Sequence, residues 1–210
     1  MAGIKQFDQE AVVERAMLQF WRAGYGATSI QDLEQTTKLG RGSLYNAFGD
    51  KEGLFVAALK RYQDTVGHQR IEQLSNPDAY LAVKNFLNLL VDQMDNPSRP
   101  RGCLQTNTSL EFPDVPDTIN RMIAERTKGI ENTLFTVLER AKLQGSIDQN
   151  ADTRALARFY LSVAKGVGVL HKVFADAPML RDAVTVAMNA WPKRKRADRR
   201  LAKNQKSSQI

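Results

Sequence analysis

The chain of 210 residues has a single cysteine, Cys103, and only two histidines, His68 and His171. One thiol excludes an intrachain disulfide, and ligands so few and so scattered give neither a metal cluster nor a nucleophile beside its base. Long apolar runs are missing too: nothing approaches the roughly 20 residues of a membrane span, and the opening MAGIKQFDQE has no apolar signal-peptide core. The expectation is a soluble, cytoplasmic protein without metal or cofactor. Alternation of apolar and polar residues is weak, which argues against sheets, and there is no internal repeat and no glycine-rich phosphate cradle. Charge imbalance is absent except at one end. From Lys193 onward eight basic residues (Lys193, Arg194, Lys195, Arg196, Arg199, Arg200, Lys203, Lys206) face Asp198 alone, while the rest of the chain carries 22 basic and 22 acidic residues. The overall +7 therefore says nothing about nucleic acid. Residues 193–210 read either as a solvated, disordered tail or as an arm that adds salt-sensitive attraction to phosphates.

What the sequence does have is helical period, backed by 42% hydrophobic residues, enough for one or two compact domains. Val12, Val13, Ala16, Met17 and Phe20 recur at spacings of three and four over residues 8–24, and Gly24 with Gly26 closes that helix. Asp50 caps a helix whose stripe of Leu54, Phe55, Ala58, Leu59 and Tyr62 runs to about Leu74, before Ser75-Asn76-Pro77-Asp78 breaks the chain. An amphipathic helix follows over 79–94 (Leu81, Phe86, Leu87, Leu90, Val91, Met94), then a loop, a short helix over 103–111, and the longest clean periodicity over 118–143. Two last helices, 152–174 and 178–191, are apolar on more than one face. A chain of this size has little else to cover them, so a second copy of the pair is the expected cover, making a four-helix homodimer interface. Ala164, Gly166 and Gly168 either allow close backbone approach there or kink a buried helix.

One stretch, Thr28 to Leu54, organises the rest. Ser29 caps a short helix and Asp32 answers it from the first turn, with Ile30 and Leu33 inward. A break over 36–40 leads to a second short helix, anchored by Leu44 and Phe48 at i, i+4, that leaves Arg41, Ser43, Tyr45 and Asn46 on or near the other face. This is the layout of a helix-turn-helix. Thr28-Ser29-Ile30, Asp32-Leu33, Gly42-Ser43-Leu44-Tyr45, Phe48 and Lys51-Glu52, ending at Leu54, resemble the signature of the tetracycline-repressor (TetR) family of transcriptional regulators. The likeness departs at Lys38, where the family usually has glycine, and at Gly40, where it usually has a Ser or Thr cap. A non-glycine residue at positive φ costs about 1 kcal/mol or more, so an altered turn is the expectation there.

The resemblance implies an all-α protein with an N-terminal three-helix DNA-binding domain (1–52), a linking helix over about 51–74, and a larger C-terminal ligand-binding and dimerisation domain (53–192). It implies a homodimeric repressor that binds a pseudo-palindromic double-stranded operator and releases it when a small-molecule inducer occupies the second domain. On the reader, Arg41 is the candidate for guanine and Asn46 for adenine or phosphate. Thr28, Ser29, Lys38, Gly42, Ser43, Tyr45 and Lys51 complete the DNA-facing set, mostly through phosphates. Tyr45 has a competing reading as a half-buried aromatic, and Lys51 as a solvated charge.

For the effector, Phe86, Leu90, Met94, Leu104, Asn107, Met122, Arg126 and Phe159 are candidate lining, with Arg126 meeting either an acidic ligand or Glu111. Cys103 stands where a short helix begins, next to Arg101, and both features favour thiolate. Gly102-Cys103-Leu104 resembles family members that sense oxidants or electrophiles through a cysteine; the alternative is a small buried core residue. A rival reading from another class is a cysteine-dependent redox enzyme using Cys103, which lacks an evident base or cofactor loop.

Overall fold

Five of the ten described α-helices start on a capping aspartate. Asp8, Asp50, Asp78, Asp152 and Asp176 each accept a hydrogen bond from the backbone N–H three residues on, at 2.8–3.1 Å. Each pairing satisfies a donor the first turn would otherwise orphan, typically about 1 kcal/mol per cap. The computed structural model describes residues 7–192, and the expectations for the 193–210 tail lie outside that range. In chain order the helices are α1 (Gln9–Ala23), α2 (Ile30–Thr37), α3 (Arg41–Phe48), α4 (Lys51–Tyr62), α5 (His68–Glu72), α6 (Ala79–Met94), α7 (Leu104–Ser109), α8 (Asp117–Leu143), α9 (Thr153–Phe174) and α10 (Ala177–Asn189). The protein is all-α, with a helix-turn-helix in its N-terminal third. Among the described residues no helix is long and apolar enough to cross a membrane.

The N-terminal unit packs α1 against α2 and α4, with α3 held between α2 and α4. Its core is aromatic: Phe20 meets Phe55 edge-on with centroids 4.8 Å apart, and Trp21 meets Tyr62 the same way at 4.9 Å. Arg61 reaches back from α4 to Glu14 at 3.0 Å, and Arg15 donates to the Thr37 carbonyl at 3.0 Å, tying α1 to both neighbours. Gly53 lets α4 start hard against α3, since a Cβ there would overlap the Phe48 carbonyl.

From Lys51 to Ser75 the chain is one helical rod, but not a regular one. A π-helical turn, Gln63–Gly67, separates α4 from α5, and a 3-10 turn, Gln73–Ser75, ends it. Beyond it α6, α8, α9 and α10 form a bundle around Phe86, Leu87, Leu90, Leu134, Leu138 and Tyr160. Short α7 sits between the units, touching α1 and α4 on one side and α8 and α9 on the other. Leu81, expected inside, is 41% exposed, because α6 turns that position away from α10 and α8. The short helix is also shorter than expected: Cys103 is its N-cap and Ser109 its last residue.

Candidate nucleic-acid interface and thiol cavity

The two reader helices are fixed before any partner arrives. Ser29 and Asp32 make the reciprocal capping box, the Asp32 N–H donating to the Ser29 hydroxyl at 3.1 Å and the Ser29 N–H to the Asp32 carboxylate at 2.8 Å. Lys38 closes α2 in the left-handed region at φ 62°, so the turn keeps the geometry that favours glycine, contrary to the altered turn expected from its side chain. Gly40 has no side chain to cap α3, and the Glu34 carboxylate takes over that task by accepting from the Arg41 N–H at 2.5 Å. This cap was invisible in the sequence because it comes from the middle of the preceding helix.

Leu44 is buried, Phe48 and Tyr45 are half-buried, and Lys38, Arg41, Gly42, Ser43 and Asn46 are exposed on one side of the unit. The Arg41 guanidinium lies along Tyr45, 5.3 Å from the ring centroid, with Nη2 donating to the phenolic oxygen at 3.4 Å. Three other expected DNA partners have different jobs. Thr28 is 0% exposed and donates its hydroxyl to the Gly24 carbonyl at 2.6 Å, so it pins the turn after α1 and cannot meet a phosphate. Ser29 is exposed, but its hydroxyl donates to Asp32 at 2.6 Å. Lys51 is half-buried, its ammonium 4.4 Å over the Tyr25 ring and 3.5 Å from the Gly26 carbonyl.

The other site is a partly enclosed cavity of about 50 Å3 at the N-terminus of α7. Four expected residues line it: Phe86, Leu90, Cys103 and Arg126. Met94 and Leu104 are core, and half-buried Met122 only packs against that core. Asn107 turns to the Arg101 carbonyl, and Phe159 faces outward on α9 at 42% exposed. Those five do not belong to it. The sequence reading missed Tyr62, Arg70, Gln105, Ile130, Leu161 and Lys165. For Tyr62 and Arg70 the reason is the π turn. In a regular helix residues eight apart are about 80° apart around the axis, whereas one extra residue in a turn brings them within roughly 20°. Tyr62 and Arg70 thus point the same way, and both reach Cys103.

Cys103 is 7% exposed. Tyr62 donates its hydroxyl to Sγ at 3.2 Å and Arg70 Nη1 stands 4.0 Å away, while Arg70 Nε is held by Gln93. Burial alone would push the thiol up, but the Arg70 charge, the Tyr62 hydroxyl, the Thr106 N–H and the Lys165 ammonium outweigh it and bring Cys103 down to about 7. Burial holds Tyr62 itself far above the usual phenol range, so it stays a donor. Gly168 packs against Cys103 and Thr106, and Ala164 faces the cavity, which leaves Gly166 alone on the outer side of α9.

Reader and cavity are joined by Glu111, two residues past α7. Its carboxylate accepts from the Tyr25 N–H at 3.1 Å and the Gly26 N–H at 2.8 Å, in the turn that precedes α2. The expected Glu111–Arg126 pair does not exist; Arg126 instead lines the cavity beside Gly67. A Cβ on Gly24, at φ 92°, would come within 2.7 Å of the same carboxylate, so glycine both turns the chain and makes room for the latch.

Comparison with known proteins places both units. Residues 12–58 match the family described as bacterial regulatory proteins, tetR family, and residues 81–187 match the tetracyclin repressor-like C-terminal domain. The uncharacterized HTH-type transcriptional regulator YezE of Bacillus subtilis is 31% identical over 192 residues, spanning 90% of this chain and 98% of that protein. The HTH-type transcriptional repressor ComR of Escherichia coli is 30% identical over 191 residues, 90% of each. Among solved structures, a cysteine mutant of the TetR family regulator CifR in complex with 26-base-pair double-strand operator DNA superposes with a TM-score of 0.84 at 29% identity, over 90% of this chain and 99% of that one.

Proposed function

Because this chain belongs to the TetR family of bacterial transcriptional regulators, we propose that it acts as a homodimeric repressor on a pseudo-palindromic operator and that chemistry at Cys103 releases it. The observation that carries the DNA half is the exposed α3 face of Arg41, Ser43 and Asn46 on a scaffold capped at every end. Its geometry suits a recognition helix entering the major groove through its N-terminal residues. Arg41 supplies a bidentate fork for guanine, Asn46 pairs with adenine or phosphate, and Lys38, Gly42, Ser43 and Tyr45 meet the backbone. The relative CifR was solved on operator DNA as a cysteine mutant.

The division of labour follows the helices, with residues 1–52 reading and residues 53–192 responding and dimerising. On α9 the exposed or half-buried Phe159, Val163, Leu170 and Val173 make a stripe with Gly166 at its middle, and Met179, Ala183 and Val186 continue it on α10. A seam of this spacing fits a two-fold partner laying the same pair of helices across it. We assign no catalytic role to the chain. The alternative of a redox enzyme has no support among the relatives, and His171 already accepts the Gly102 N–H at Nδ1.

A gel shift with DNA from upstream of the protein's own coding region tests the reading. We expect a shift with the native protein, its reversal by N-ethylmaleimide but not in Cys103→Ser, and a loss of about 1–3 kcal/mol with relaxed preference at one base for Arg41→Ala. No preference of the native protein for that DNA over scrambled duplex, or an Arg41→Ala variant that discriminates as well as the native protein, overturns it.

A further inference from the structure

The polar side of the Cys103 cavity is dominated by donors and cations. Arg70, Arg126 and Lys165 reach it with the Tyr62 hydroxyl and the Gln105 amide. Among the described residues none of these three cations has a carboxylate within ion-pair distance. Arg70 is 7% exposed, and its Nε is answered only by the neutral Gln93. Gln105, equally buried, lines the cavity, and its Nε2 has no hydrogen-bond partner. Buried charge without a counter-charge and a buried donor without an acceptor are both costly. The chain offers one anion in return, the Cys103 thiolate, against three positive charges.

We propose that the cavity is a receptor site for a small monoanion, a carboxylate no larger than a short-chain acid, seated beside Cys103. Its oxygens take the Gln105 Nε2 hydrogen and the charge of Lys165, Arg126 and Arg70, while its carbons lie against Phe86, Leu90 and Ile130. The partly enclosed space of about 50 Å3 suits a ligand of this size. This rests on the effector reading given above and narrows it: an effector that modifies Cys103 is selected first by its negative charge and then by its reactive carbon.

Iodoacetate and iodoacetamide test this directly. In both, Sγ of the thiolate attacks the methylene carbon and iodide leaves with the bonding pair; the reagents differ in charge. The ratio of their rates with the unfolded protein is the reference. We expect the folded protein to shift that ratio towards iodoacetate by about tenfold or more, as charge-assisted contacts in a desolvated site do. Lys165→Gln and Arg126→Gln should each cut the shift several-fold with unchanged far-ultraviolet circular dichroism. A ratio equal to the reference, or one unmoved in both variants, overturns the proposal. If neither reagent reacts in the folded state, thermal unfolding decides: butyrate raising the midpoint where butyramide does not supports the site, and equal midpoints overturn it. Neither readout involves DNA, so an anion site that fails to control the operator is told apart from no anion site.

Discussion

Tyr62 gives its hydroxyl to a sulfur rather than to the backbone, and that choice sets the chemistry of Cys103. A thiol lowered to about 7 is half thiolate at neutral pH, and the thiolate is the nucleophile. Below that point each pH unit should cost about tenfold in the rate of reaction with a neutral maleimide, and above it the rate should level off. A free cysteine keeps gaining to about 8.5. Tyr62→Phe removes a donor that favours the charged form, so the inflection moves up towards the free value. Stopped-flow rates against pH check both, and a native inflection near that of free cysteine would refute the assignment of Tyr62 and Arg70 as its cause. At the reader, Thr28 shows why residue type misleads: a threonine just before a helix cap has the chemistry of a phosphate partner, but its hydroxyl is already spent on Gly24.

At the scale of elements, the turn between α2 and α3 holds its geometry against its own sequence. Lys38 sits at φ 62°, which costs a side chain about 1–2 kcal/mol, while glycine brings back up to about 1 kcal/mol of unfolded-state entropy. Lys38→Gly should therefore raise stability by about 0.5–1 kcal/mol, seen as a higher denaturant midpoint at unchanged slope. A lower midpoint would mean the lysine makes compensating contacts. The helices themselves were legible in the sequence because their signals are local: the Ser29–Asp32 box, the aspartate cap at Asp50, and the three-four spacing of α1, α6 and α8 all lie within a few residues. The cavity was not. Tyr62 and Arg70 share a face only because of the π turn at Gln63–Gly67, which no periodicity announces. The Glu34 cap and the Glu111 latch join residues 7 and 85 apart or more, and distance in sequence carries no trace of them.

For the whole molecule, symmetry and coupling are the open variables. The α9 stripe leaves Val173 at 61% and, on α10, Val186 at 69% exposed, an arrangement a monomer has no reason to keep. Val173→Asp with Val186→Asp should convert a dimer to a folded monomer by light scattering, with operator affinity falling as the two half-sites are no longer bound together. Unchanged mass would place the dimer seam elsewhere. Glu111→Ala should leave the reader folded while cutting the change in operator affinity caused by alkylating Cys103, which for coupled sites typically spans about 5- to 150-fold. An undiminished change would show that the signal travels by Tyr62 and Trp21 instead.

The Glu111 grip on the turn before α2 also works in reverse. Whatever chemistry at the thiol does to the grasp on DNA, occupancy of DNA must do to the thiol by the same factor at equilibrium. For an effector held reversibly at the thiol, copies seated on the genome bind it more weakly and copies adrift fill first. The unbound pool becomes a buffer, so derepression arrives as a threshold whose height is set by how many surplus molecules a cell keeps.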